Sequence, residues 1–67
     1  MYTVVKKVMV TLYANYEKTE LQIMPQTFRT CGETINDARK NVNQKIKEYA
    51  NNPYVVEVKP IYEHFEN

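Results

Sequence analysis

A single cysteine and a single histidine are the residues of this sequence best suited to nucleophilic chemistry. A cysteine nucleophile normally needs a base such as histidine beside it, and Cys31 and His64 are the one such pair in the 67 residues. No third residue that would orient the histidine and no oxyanion donor can be recognised. We therefore interpret Cys31 as a small residue ahead of a helix and His64 as part of the C-terminal segment, and we predict that the protein is not an enzyme.

Metal, phosphate and acid–base chemistry also lack the residues they require. A structural zinc site needs several Cys or His ligands, and the sequence has one of each. A phosphate-binding loop needs several glycines, and Gly32 is alone. The eight acidic residues show no spacing typical of paired catalytic carboxylates or of a Mg²⁺ site. The sequence therefore predicts no metal and no cofactor.

The C-terminal segment is acidic, with Glu57, Glu63 and Glu66 close together. One interpretation is that these charges protect an exposed sheet edge from aggregation. The other is that they contact a basic surface on a partner, which makes Glu57 and Glu63 candidate partner-binding residues.

Basic and aromatic residues on the predicted strands raise the alternative of nucleic-acid binding. Most of the six tyrosines and two phenylalanines lie on strands, near Lys6, Lys7, Arg29 and Lys59, and aromatic side chains beside basic ones can stack bases. However, the formal net charge is only +1, whereas proteins that bind nucleic acid through charge usually have a clear basic excess. Nucleic-acid binding is therefore the second hypothesis.

The length limits the chain to a single domain, residues 1–67. A core of this size supplies little stability unless a disulfide, a metal or a partner adds to it. A lone cysteine excludes an internal disulfide, so we expect self-association, most simply as a homodimer. No apolar run approaches the ~20 residues of a membrane span, and no export signal is recognisable. We therefore expect no membrane partner and a cytoplasmic location.

Hydrophobic periodicity predicts three strands. Residues 2–14 alternate between apolar and other side chains and are rich in β-branched residues, as expected for a strand. Residues 20–30 and 54–65 have similar patterns, and each contains a proline, Pro25 or Pro60. A polar segment without glycine separates the first two strands, which predicts a hairpin loop longer than two residues.

One helix is predicted between the second and third strands. Thr34, followed three residues later by Asp37, is a variant of the capping box that starts helices. The run Asn51-Asn52-Pro53 ends the helix, because proline disfavours helical geometry in the residue before it. The apolar positions recur on one helical face: Ile35, Ala38, Val42, Ile46, Tyr49 and Ala50.

Two positions predict special backbone geometry. Ile23 and Phe28 have opposite parity on either side of Pro25, which predicts a β-bulge at the proline. Gly32, the only glycine, is predicted to hold a backbone angle that other residues do not tolerate.

The prolines predict the topology. Proline cannot donate to a hydrogen-bond ladder, so strands that contain it belong at sheet edges. This predicts an α+β fold, β-β-α-β, with a three-stranded antiparallel sheet in the order 2-1-3 and one helix packed on one face. A single helix leaves the other face open, and an exposed apolar patch there would mark an interaction site. We expect that face to include Val5, Met9, Tyr13, Met24, Val55 and Ile61.

The step into the helix carries a local family resemblance. The run Gly32-Glu33-Thr34-Ile35-Asn36-Asp37-Ala38 is similar to the G-[DE]-T-x-x-[DE]-A step of HicB-type antitoxins, within residues 21–50. The resemblance implies a strand that leads into an amphipathic helix. No functional residue is carried over, because the DNA-binding segment of that family has no counterpart in this sequence.

The most plausible function from these observations is a non-enzymatic protein-binding module that forms a homodimer. A short sequence rich in Tyr and Asn resembles small phage-encoded proteins that bind and inhibit a host protein, such as a nucleoid protein, RNA polymerase or a nuclease; this rests on general appearance. A nucleic-acid-binding domain and a self-associating structural protein are the alternatives. The predicted partner-binding residues are Val5, Met9, Tyr13, Glu57, Tyr62 and Glu63.

Overall fold

A computed structural model describes residues 1–66 of the chain. Its elements are β1 (Tyr2–Tyr13), β2 (Leu21–Gly32), α1 (Ile35–Ala50) and β3 (Val55–Glu66). Both β2 and β3 pair with β1 in antiparallel orientation, and the sheet order is β2-β1-β3. The predicted α+β fold and its strand order are therefore confirmed.

The two edge prolines lie where a missing N–H does no harm to the sheet. The Ala14 N–H donates to the Glu20 carbonyl at 2.8 Å, so even-numbered residues of β1 direct their backbone polar groups towards β2 and odd-numbered residues towards β3. Pro25 lies opposite an odd-numbered residue and Pro60 opposite an even-numbered one. Both proline nitrogens therefore face away from β1, and no ladder bond is lost.

The predicted bulge at Pro25 is wrong. β2 keeps one continuous register with β1 along its whole length, because a proline whose nitrogen faces outward does not interrupt the ladder. Strict alternation then places Leu21 and Ile23 on the face of the sheet opposite to that of Phe28. The change of parity therefore means that β2 exposes apolar side chains on one face before Pro25 and partly buries an apolar side chain on the other face after it.

Bulges occur instead in β3. Its register with β1 shifts twice, which leaves Val56 and Ile61 without a paired residue. These side chains are 53% and 48% exposed. Each extra residue interrupts the regular edge that a further strand could pair with, so β3 is a poor template for strand addition.

The core lies where α1 crosses the sheet. Val4, Ala38 and Val42 are each 0% exposed, and Phe28 and Ile46 pack against them. We call the side of the sheet that carries Val4 and Phe28 the helix face, and the other side the open face. We call the end of the sheet near Gly32 proximal, and the end near the β1–β2 loop distal.

Side chains of α1 and β2 also bond across this junction. The buried Thr30 hydroxyl donates to the Ala38 carbonyl at 2.7 Å, and the Phe28 and Tyr49 rings meet edge to face at 5.6 Å. The hydrogen bond and the ring pair both join α1 to the edge strand β2. The contact between α1 and the proximal half of β2 therefore combines apolar packing with interactions that depend on orientation.

Gly32 is required for space and not for an unusual backbone angle. Its φ is not positive, so the predicted special conformation is wrong. A Cβ built on Gly32 would lie 2.8 Å from the Cβ of Asp37 and would also collide with the backbone nitrogen of Ala38. The first turn of α1 therefore packs directly on the end of β2. Thr34 caps that turn as predicted, since its hydroxyl accepts from the Asp37 N–H at 3.1 Å.

Candidate protein-binding surface

The strand register places some of the residues predicted for the open face on that face and others on the helix face. Val5, Met9 and Tyr13 have the opposite parity to Val4 and lie on it. Met24 and Val55 lie opposite even-numbered residues of β1 and therefore on the helix face, so their predicted positions are wrong. Their misplacement follows from the missing bulge in β2 and the extra residues in β3.

The distal half of the open face carries an apolar surface, which we call the distal patch and define as Met9, Tyr13, Leu21, Ile23 and Pro25. Leu21 pairs with Tyr13 and Pro25 with Met9, so these residues are direct neighbours across two strands. Leu21 is 58% exposed and Ile23 67% exposed. Since α1 packs on the other face, no element of residues 1–66 covers this patch.

Leu21 and Ile23 were not predicted as partner-binding residues. Their shared parity is visible in the sequence, but a bulge at Pro25 would have placed Ile23 on the same face as Phe28. An uninterrupted alternation through the proline would have placed them correctly. The distal patch is therefore larger than the three residues of β1 alone indicate.

Two aromatic rings meet just beyond the distal end of β1. Tyr16 is 88% exposed, and its ring meets that of Tyr54 edge to face at 6.2 Å. The Lys18 ammonium lies 5.4 Å from the centre of the Tyr54 ring, which is within cation–π range. The Asn15 side chain accepts from the Thr19 N–H at 3.1 Å and orders the loop that carries Tyr16 and Lys18.

The proximal half of the open face is instead occupied by polar side chains. Glu66 forms an ion pair with Arg29 across the sheet and lies 3.2 Å from the His64 Nε2. The His64 ring stacks on Tyr62 at 5.7 Å. Val5 lies between Arg29 and His64 in the register and is only 7% exposed. Val5 therefore offers little surface to a partner.

The acidic residues of β3 do not form one exposed strip. Glu57 is exposed on the open face opposite Thr11. Glu63 lies on the helix face, where Arg39 approaches its carboxylate at 3.3 Å. Because Glu66 is paired with Arg29, Glu57 is the acid of this strand whose charge has no ion pair within residues 1–66.

The basic residues proposed for nucleic-acid binding are also separated. The Lys6 ammonium is on the helix face and donates to the Asn43 side-chain oxygen at 3.0 Å. Arg29 is engaged by Glu66, while Lys7 and Lys59 lie on the open face beside Tyr62 and Met9. Within residues 1–66, the fold therefore leaves two lysines without an ion pair, and no extended basic stripe, on the open face.

Cys31 and His64 do not form a catalytic pair. They lie on the two edge strands with β1 between them, at least about 10 Å apart by strand spacing. The Cys31 sulfur is 3.5 Å from the Thr3 hydroxyl. Within residues 1–66, no three Cys, His, Asp or Glu side chains are placed to hold a metal ion.

A shallow groove of about 550 Å³ runs between β2 and α1. Asn41 lies in it and donates to the Cys31 carbonyl at 3.0 Å, so the helix protects this end of the β2 edge. The remaining walls are polar and charged side chains of both elements, among them Gln44, Lys45 and Glu48. Their side chains offer hydrogen-bond donors and acceptors to the groove.

Comparisons with known protein families, with curated proteins and with solved structures find no match. In the part of the chain that the structure describes, no helix has the length and apolar character needed to cross a membrane.

Proposed function

We propose that this protein is a non-enzymatic protein-binding module that uses the distal patch as its contact surface. The observation that carries the proposal is the exposure of Ile23 (67%) and Leu21 (58%) beside Met9 and Tyr13. Apolar side chains that are clustered in this way, and rimmed by polar residues, are typical of interaction sites. The patch also contains Tyr13, and tyrosine is a residue type common in protein interfaces.

Two charged residues at the edge of the distal patch would make the proposed contact selective for its partner. Glu57 and Lys59 both lie on the open face, opposite Thr11 and Met9. Charges at the rim of an interface contribute more to partner choice and association rate than to affinity. Of the residues predicted from the sequence, Met9, Tyr13, Glu57 and Tyr62 are accessible on this face, and they remain candidates for the contact.

The proposed setting is the cytoplasm, where a homodimer is in equilibrium with the protomer whose distal patch binds the target. The general appearance of the sequence favours a phage-encoded inhibitor of a host protein, such as a nucleoid protein, RNA polymerase or a nuclease. In that form of the function, the module acts by covering a surface of its target, and it needs no chemistry of its own.

Affinity capture from bacterial lysate tests the proposal. Tagged wild-type protein is compared with Ile23→Lys, each with and without nuclease, and the retained proteins are identified by mass spectrometry. We expect one dominant protein that survives nuclease and is reduced at least about tenfold by Ile23→Lys, because a buried lysine opposes docking. The matched control is Ile35→Lys, the same change at a position 37% exposed at the start of α1.

Two results would contradict the proposal. Capture that Ile23→Lys and Ile35→Lys reduce equally would show that the distal patch is not the contact surface. A set of proteins that disappears with nuclease, together with direct binding of nucleic acid that weakens steeply with salt, would favour the nucleic-acid hypothesis through Lys7 and Lys59.

A further inference from the structure

We infer that the distal patch is covered by a second copy of this chain, with the two open faces packed against each other around a two-fold axis. This inference rests on the proposed function, because it names a second occupant of the same surface, which must dissociate before the target can bind. It is carried by three observations: the shape of the protomer, the arrangement of apolar residues in rows, and the position of three unpaired charges.

The protomer is more extended than a compact domain of its size. Its radius of gyration is 13.4 Å, compared with about 11 Å expected for a compact chain of this length. Its exposed surface is 4830 Å², compared with about 4450 Å² for a typical monomer of this mass. One helix on a long sheet buries only one face, and packing a second sheet on the open face would complete a sandwich.

The distal part of the open face is built from four rows that run across the strands; three take one residue from every strand, and the fourth takes one from β2 and one from β1. Moving towards the loop, the row of Lys7 is followed by those of Met9, Thr11 and Tyr13. The rows are Thr27–Lys7–Tyr62, Pro25–Met9–Lys59, Ile23–Thr11–Glu57 and Leu21–Tyr13. Apolar or aromatic side chains are present in every row, so the four rows form a continuous surface.

Three charged residues decide how two such surfaces can meet. Lys7, Lys59 and Glu57 lie within the rows, and none forms an ion pair within residues 1–66. A two-fold axis along β1 would place Lys7 against Lys7 of the second copy. Like charges in a desolvated contact are unfavourable, so this arrangement is disfavoured.

An axis across the strands, between the rows of Met9 and Thr11, gives a complementary contact. It exchanges these two rows, so Lys59 meets Glu57 of the second copy, and the symmetry forms this pair twice. The next rows also exchange, which places Lys7 against the Tyr13 ring of the second copy, a favourable cation–π geometry. The ion-paired proximal half with Arg29 and Glu66 remains outside the contact.

The size of this contact predicts a dimer that dissociates on dilution. Four rows span about 26 Å along the strands, and three strands span about 14 Å. These dimensions give a flat footprint of about 360 Å² per protomer, or about 730 Å² for the pair, which is below the ~1,200 Å² at which stable interfaces begin and corresponds to a weak, transient contact. The paired charges should therefore make a measurable difference to the dissociation constant.

Sedimentation velocity over about 1 µM to 1 mM protein tests the inference with a charge swap. Glu57→Lys and Lys59→Glu should each raise the dimer dissociation constant at least about tenfold, because each places like charges together twice. The double variant, Glu57→Lys with Lys59→Glu, restores both opposite pairs and should return the constant to within about threefold of the wild type. Glu48→Lys, the same change at an exposed position of α1 away from the open face, should leave it unaltered.

Several outcomes would overturn the inference. Wild-type protein that remains monomeric over the whole range excludes the second copy, while nuclease-resistant capture that depends on Ile23 would still support the proposed function. A dimer that tolerates both single charge reversals, or that the double variant does not restore, forms through another surface. Circular dichroism of each variant distinguishes loss of dimer from loss of fold.

Discussion

The proximal and distal halves of the sheet share one backbone design and differ in what covers them. In the proximal half, α1 buries Val4 on one face, and Arg29 with Glu66 closes the other over Val5. In the distal half, the open face presents Leu21 and Ile23 to solvent. The physical cause is that one helix covers only one face of the sheet. Apolar residues on the second face can be shielded from water only by neighbouring side chains. In the proximal half the Arg29–Glu66 ion pair provides this shielding, whereas in the distal half Leu21 and Ile23 stay exposed.

This difference separates residues that stabilise the fold from residues that are available for binding. Substitutions in the proximal half should lower the free energy of unfolding. Substitutions of the exposed distal residues should change association and leave the folded protomer intact. The following predictions concern the free energy of unfolding measured by urea titration at low protein concentration, from the largest effect to the smallest.

Val42→Ala should have the largest effect. Val42 is 0% exposed and belongs to the cluster with Val4 and Ala38, so the change loses buried apolar surface and leaves a cavity. We expect a loss of about 2–3 kcal/mol, seen as a lower urea midpoint with an unchanged slope. A loss below about 0.5 kcal/mol would show that the helix does not hold the proximal core together.

Gly32→Ala should be nearly as severe. The added Cβ would lie 2.8 Å from that of Asp37 and collide with the Ala38 backbone, so α1 must move away from the end of β2. Overpacking of this kind costs about 2 kcal/mol. If the variant were as stable as the wild type, the close approach of β2 and α1 at Gly32 would be incorrect.

Thr34→Ala should cost about 1 kcal/mol, the usual value of a lost helix N-cap. The hydroxyl accepts from the Asp37 N–H at 3.1 Å, and alanine leaves that donor to water. Thr34→Ser keeps the acceptor and serves as the control, with a midpoint close to that of the wild type. Equal losses in the two variants would assign the effect to the threonine methyl group and not to the cap.

Ile23→Ala should have the smallest effect, below about 0.5 kcal/mol, because Ile23 is 67% exposed and exposed substitutions rarely cost more. The same variant should weaken self-association in sedimentation velocity. A large loss of stability at low protein concentration would mean that Ile23 belongs to the core of the protomer.

Much of the fold could be predicted from local signals. The prolines of β2 and β3 indicated edge strands, because a missing N–H is tolerated only where no neighbour needs it. Thr34 and Asn51-Asn52-Pro53 indicated where α1 begins and ends, and the helix spans Ile35–Ala50. These signals work because each depends on backbone geometry within a few residues.

The candidate surface was less predictable, because it depends on which residues become neighbours across strands. Parity alone could not distinguish a bulge at Pro25 from a change of the apolar face, and this choice decided where Leu21 and Ile23 lie. The pairing of Glu63 with Arg39 depends on how α1 crosses β3.

The sequence by itself determined the order of the elements, the central position of β1 and the limits of the helix, because proline geometry, capping and hydrophobic periodicity act locally. Tertiary structure alone decided that Gly32 serves the close packing of Asp37 and Ala38, and that Val5 is covered while Ile23 is exposed. Those outcomes depend on register between distant strands and on the path of one helix, which are set by packing of the whole chain.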